Sequence, residues 1–150
     1  MEPFLGLDHV QVAAPPGCEA DARRFYGELL GLIELEKPPL LAARGGCWFR
    51  LGVHALHVGV AQDFVPAKKA PPGILVSSVA AWRELARRLE SAGVTVEWAD
   101  PAEIAGRDRF FVHDPWGNRL ELLAPRSRVA ASDGRDRPNR VRLALRRACG

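Results

Sequence analysis

RLELLA, residues 119–124, lies over ALHVGV, residues 55–60, at an offset of 64, and the overlay sets Glu121 on His57. Both stretches have the period-two spacing of a strand, so each places its ionisable residue on the face opposite its flanking apolar residues. Leu123 shares the Glu121 face, which predicts that this face is partly enclosed. An enclosed carboxylate needs a partner, because an unpaired buried charge is expensive.

Working outward, each stretch closes the same series of elements. In the first series LDHVQVAAP reads as a strand and EADARRFYGELLG as a helix, with Ala22, Phe25 and Leu29 on one side and Gly31 as its stop. LIELEKP, GCWFRLG and HALHVGV follow as strands between Pro and Gly punctuation. After the loop AQDFVPAKKAPP the order returns: GILVSSV, the helix AAWRELARRLESAG, then VTVEWAD, DRFFVHD and NRLELLAP. The helix-ending glycines Gly31 and Gly93 repeat at an offset of 62. Residues 1–125 therefore read as an α+β domain of two tandem βαβββ modules, about 5–62 and 70–125. A single such unit leaves one sheet face bare, so two are expected to form a shared cleft, within one chain or by exchange between two.

The composition suits one soluble domain: 150 residues, 47% apolar and 26% charged. No apolar run approaches the roughly 18 residues of a membrane span, and the start lacks a secretory pattern, so a cytoplasmic location is expected. Cys18, Cys47 and Cys149 are too few and scattered for a disulfide framework or a cysteine zinc site. The net charge of +3 is uneven: residues 126–150 hold eight arginines against Asp133 and Asp136, leaving the body at −3. The basic character belongs to the tail, and no nucleic-acid partner is expected for the body. In the tail, Val141, Leu145 and Ala148 can share one side of a short basic helix, read as a frayed or subunit-packing extension.

The doubled βαβββ pattern, opened by LDHV and closed by DPWGNRLEL, resembles the vicinal oxygen chelate superfamily. That family includes glyoxalase I, extradiol dioxygenases and bleomycin- and fosfomycin-resistance proteins. The resemblance covers residues 5–125, and RRFYGELLG with FFVHDPWGNRLEL is specific for the superfamily rather than for one activity. It implies metal ligands on the first and last strand of each module, which here are positions 9, 57, 71 and 121. His9, His57 and Glu121 can ligate, whereas Pro71 has no donor. Two imidazoles and a carboxylate form a donor set for a divalent metal, Fe, Mn, Ni or Zn, with positions left for substrate oxygens. Such a metal chelates two adjacent oxygens and stabilises a developing enolate as a Lewis acid, with Glu121 as the candidate proton shuttle. For one cation to serve, the three side chains must converge to about 2.0–2.2 Å from it.

The expected function is therefore a glyoxalase-like or dioxygenase-like enzyme, a lyase or dioxygenase acting on a small molecule, with a homodimer as the expected assembly. The alternative is a metal-free, bleomycin-resistance-like protein that sequesters an aromatic or antibiotic-like molecule, as family members that have lost ligands do. Gln11, beside His9 on strand one, and Trp48, Phe111 and Arg109 are the candidate substrate contacts. On such central strands an aromatic more often fills the core than stacks on a ligand, which is the favoured role for Trp48, Phe49, Phe110 and Phe111, and Trp82 and Trp98 read as packing residues. His54, His113 and Arg107 read as turn residues.

Overall fold

The computed structural model describes residues 3–126. Strand β1 (His9–Ala14) buries Val12 and Ala14 and turns His9 and Gln11 outward. It leads into α1 (Glu19–Ala22), which passes directly into a π-helical segment, Arg23–Leu29. Ala22, Phe25 and Tyr26 are buried there, and the wider turn places the adjacent Phe25 and Tyr26 both inward. Strands β2 (Ile33–Leu35), β3 (Cys47–Leu51) and β4 (His54–Val60) complete module one. Its sheet runs β1-β4-β3-β2, with β1 parallel to β4 and the other pairs antiparallel.

Module two repeats this with β5 (Gly73–Leu75), α3 (Val79–Ser91), β6 (Glu97–Trp98), β7 (Arg109–His113) and β8 (Arg119–Leu123). Its order is β5-β8-β7-β6. Helix α3 is capped by Ser78, whose Oγ accepts from Ala81 N at 3.1 Å, and it buries Trp82, Leu85, Ala86 and Leu89. The registers match between the modules. Gln11 and Trp48 flank His57, as Gly73 and Phe111 flank Glu121.

Two expectations need adjustment. A short helix α2 (Pro39–Ala42) begins at a proline within the segment between β2 and β3, where Pro is tolerated because the first helical N–H needs no partner. VTVEWAD pairs only at Glu97–Trp98, since Val94 N is bound to Leu89 O as the helix ends and Pro101 follows. The predicted tail helix, with Val141, Leu145 and Ala148, lies outside the described residues, as does all of the 126–150 tail except Arg126.

The inward faces of both sheets and the helices share one core: Tyr26, Phe49, Leu56 and Val58 from module one, and Trp82, Leu89, Phe110, Val112, Leu120 and Leu122 from module two. A polar knot joins the halves. The buried Asp114 carboxylate accepts from Tyr26 Oη at 2.9 Å, from Asn118 N at 2.8 Å and Nδ2 at 2.7 Å, and from Trp116 N at 3.1 Å. Asn118 Nδ2 spends its other hydrogen on Ala13 O at 2.7 Å, and Oδ1 accepts from Ala67 N at 2.9 Å. Burial and the neighbouring Asp114 push the Tyr26 phenol well above its ordinary value, so it remains a donor. Arg88 Nε adds a second tie, donating to Leu29 O at 2.8 Å.

Asn118→Ala leaves Ala13 O, Ala67 N and part of Asp114 without partners, and the expected loss is about 3 kcal/mol in urea unfolding. Val53→Ala, at the exposed turn between β3 and β4, should stay within about 0.5 kcal/mol of wild type.

Candidate functional site

The helices cover one face of each sheet, and the candidate residues stand on the other. On module one, His57 lies in register between Gln11 on β1 and Trp48 on β3. The rings form a ladder across the strands. Trp48 and His57 stack at 4.2 Å between centroids and 8° between planes, and His57 and His9 at 4.2 Å and 21°. His9 Nδ1–H donates to Asp8 Oδ1 at 2.7 Å, and this bond holds the Asp8 carboxyl below its ordinary value. Gln11 lies against Gly59, where an added Cβ would meet its Nε2 at 2.6 Å; the glycine lets that side chain lie flat on the sheet.

Lys37 also stands over the Trp48 ring, its Nζ 6.0 Å from the indole centroid. Lys37 is fixed by its bonds to Gly45 O and Gly46 O. Gly46 has φ +75° and packs so tightly on β4 that a Cβ would come within 2.1 Å of Val58 O, so only glycine serves there.

On module two, Glu121 accepts from Arg109 Nη1 at 2.9 Å, and Arg109 Nη2 also bonds Glu103. The Arg109 and Glu121 side chains are only 13% and 18% exposed. Phe111 lies between guanidinium groups: Arg119 Cζ is 3.8 Å and Arg109 Cζ 5.5 Å from its ring centroid. Arg119 Nη2 donates to Glu97 Oε2 at 3.1 Å, and His113 Nδ1 lies 3.6 Å from Glu97 Oε1. The face is thus internally neutralised.

The structure brings His9, His57, Gln11 and Trp48 together, and separately Glu121, Arg109 and Phe111. Within one chain it does not join the two sets. Among the described residues no three His, Cys, Asp or Glu side chains form a group able to hold a metal. The ring geometry explains part of this, because an imidazole lone pair lies in its ring plane and stacked, near-parallel rings direct their lone pairs side by side. The residues of one chain, so arranged, do not fit a divalent metal. Glu121 has a partner in this arrangement, the Arg109 guanidinium. Arg109 in turn does not stand free at a cleft mouth, since its terminal nitrogens serve Glu121 and Glu103.

The aromatic residues divide by strand parity. Phe49 and Phe110 are fully buried, whereas Trp48 and Phe111 lie half-buried on the open faces. Trp82 is core, and Trp98 packs edge-on against it while remaining 54% exposed. Pro71 precedes β5 and faces β1 across a small pocket. Lys37 was not a sequence candidate. The double glycine Gly45-Gly46 marks an unusual loop, but nothing in the spacing joins that loop to Lys37 or Trp48.

A family model described as Glyoxalase/Bleomycin resistance protein/Dioxygenase superfamily matches residues 6–122. Among solved structures, a glyoxalase family protein from Bacillus anthracis is 45% identical, with a TM-score of 0.76 over 83% of this chain and 98% of that one. Lactoylglutathione lyase from Agrobacterium tumefaciens is 21% identical, with a TM-score of 0.61 over 83% and 97%. The fosfomycin resistance protein FosX from Listeria monocytogenes is 13% identical, with a TM-score of 0.65 over 81% and 91%. The last two likenesses show the fold alone. No curated protein matches the chain.

Burial, and then the positive charge of a protonated His9, lower the His57 pKa below its ordinary 6.5. A lowered imidazole pKa means that the unfolded chain binds the proton more tightly. The His57 contribution to stability is therefore intact above pH 6.5 and declines as the pH falls below it. NMR titration should find a His57 midpoint below 6.5 that moves upward in His9→Asn.

Proposed function

The chain belongs to the Glyoxalase/Bleomycin resistance protein/Dioxygenase superfamily, and from that premise we propose that it binds a planar small molecule on the open face of module one, without a metal. The observation that carries this reading is the ladder Trp48–His57–His9, three ring systems standing near-parallel on a face that no described element covers. A flat ligand extends such a ladder at little cost, because the rings are already ordered and their side chains partly desolvated. Gln11, flat beside His57, supplies amide donors and an acceptor for ligand oxygens. The self-neutralised face of module two supports the same reading, since Arg109 already satisfies Glu121. In this role the protein resembles the drug-sequestering members of its family.

Trp48→Leu should weaken a planar aromatic ligand about tenfold, the equivalent of losing one good ring stack. Isothermal titration calorimetry measures this, and equal affinity in both proteins would remove Trp48 from the site.

One observation favours a second reading, a metal-dependent lyase or dioxygenase with His9, His57 and Glu121 as ligands. His57 and Glu121 occupy matching register positions on the open faces of their sheets. A second copy docking its module-two face on module one would bring them together in a homodimer. In that case added Mn(II), Ni(II), Fe(II) or Zn(II) raises the thermal midpoint of the wild type and not of Glu121→Gln. Equal shifts, or none, leave the metal-free reading in place.

A further inference from the structure

We infer that the ligand of the module-one face is an aromatic anion, an arene carboxylate or phenolate, stacked on Trp48 and neutralised by Lys37 and Arg50. This rests on the reading that module one binds a planar molecule, and it adds the charge which that molecule must carry.

The charges on this face are lopsided. Lys37 Nζ stands over the Trp48 ring, 6.0 Å from its centroid, and an ammonium has three N–H donors. Two carbonyls, those of Gly45 and Gly46, account for its hydrogen bonds, and no carboxylate lies within ion-pairing distance of it among the described residues. Its charge is half-buried and held in place; Glu19 feels it at longer range but forms no direct ion pair with it. Arg50 follows Trp48 by two residues on β3, so it shares the open face, and it too has no ion-pair partner among the described residues.

The nearby carboxylates are committed elsewhere. Asp8 is bonded to His9. Glu34 pairs with Phe49, which places it on the opposite face, where it takes a two-pronged bond from Arg23. Glu19 accepts from Gly46 N at 2.7 Å. Module two provides the contrast, for there Arg109 and Arg119 are both matched to glutamates. An aromatic ring on a face that carries two cations without direct ion pairs selects a flat molecule with delocalised negative charge, since stacking and charge pairing then act on the same ligand. A neutral arene would gain only the stack.

The test compares 1-naphthoate with its neutral isostere 1-naphthamide by calorimetry on the full chain. The acid should bind at least about tenfold tighter at low salt, and 0.5 M NaCl should narrow the gap. Lys37→Met should remove most of the preference by lowering naphthoate affinity at least about fivefold more than naphthamide affinity. Because Lys37 also bonds the glycine loop, Arg50→Gln, at an exposed strand position, provides a second variant expected to reduce the same ratio. Equal affinities for the two probes, or a ratio that survives both substitutions, overturn the inference and leave the planar-ligand reading standing. Failure of both probes to bind overturns that reading as well.

Discussion

The Asp114 carboxylate is the point on which the two modules turn. It is buried where the modules meet and receives donors from Tyr26 in one and from the Asn118 side chain and two backbone amides in the other. Four donors on one buried carboxylate make its charge tolerable, and each donor would itself be stranded without it. Asn118 extends the knot to Ala13 near the end of β1 and to Ala67 in the segment that links the modules. The relative placement of the sheets, and of every side chain on their open faces, follows from this small set of bonds. Apolar packing of α3 against the π-helical segment adds area, but it is less directional.

Sheet parity then divides each strand between two tasks. Inward residues build a dry core, and outward residues lie on faces that no described helix covers. Module one uses that face for aromatic rings and cations without direct ion pairs, while module two uses it for matched ion pairs around Phe111. The two faces share a backbone plan and differ in electrostatics. A duplicated scaffold can thus hold one face of stacked rings and one of matched charges.

Much of this was legible in the sequence. The offsets of 62 and 64 set Gln11 and His57 against Gly73 and Glu121, and the strand pairings follow those offsets. Period-two spacing placed His9, His57 and Glu121 on outward faces, because strand parity is a local property. What pairs with what across space was less accessible. Arg109 lies 12 residues from Glu121, and only the hairpin register makes them neighbours. Lys37 reaches Trp48 through a loop whose shape depends on Gly46 pressing against Val58, a contact that no periodicity encodes. The brevity of β6 was hidden for a similar reason, since VTV alternates like a strand while its first amide is engaged by the end of α3.

The two modules differ by one residue at a revealing place. Between the equivalent pairs Arg50–Ala55 and His113–Arg119, module one has four residues and module two has five, Asp114 to Asn118. In module one the connection is a tight hairpin ending in the solvent-exposed Val53, and it ties nothing down. In module two the longer connection contains both members of the knot. Twofold repetition alone would give interchangeable halves with no preferred mate. A single added residue makes one half the bracket and the other the bracketed, so that the pseudo-symmetric chain acquires a front and a back.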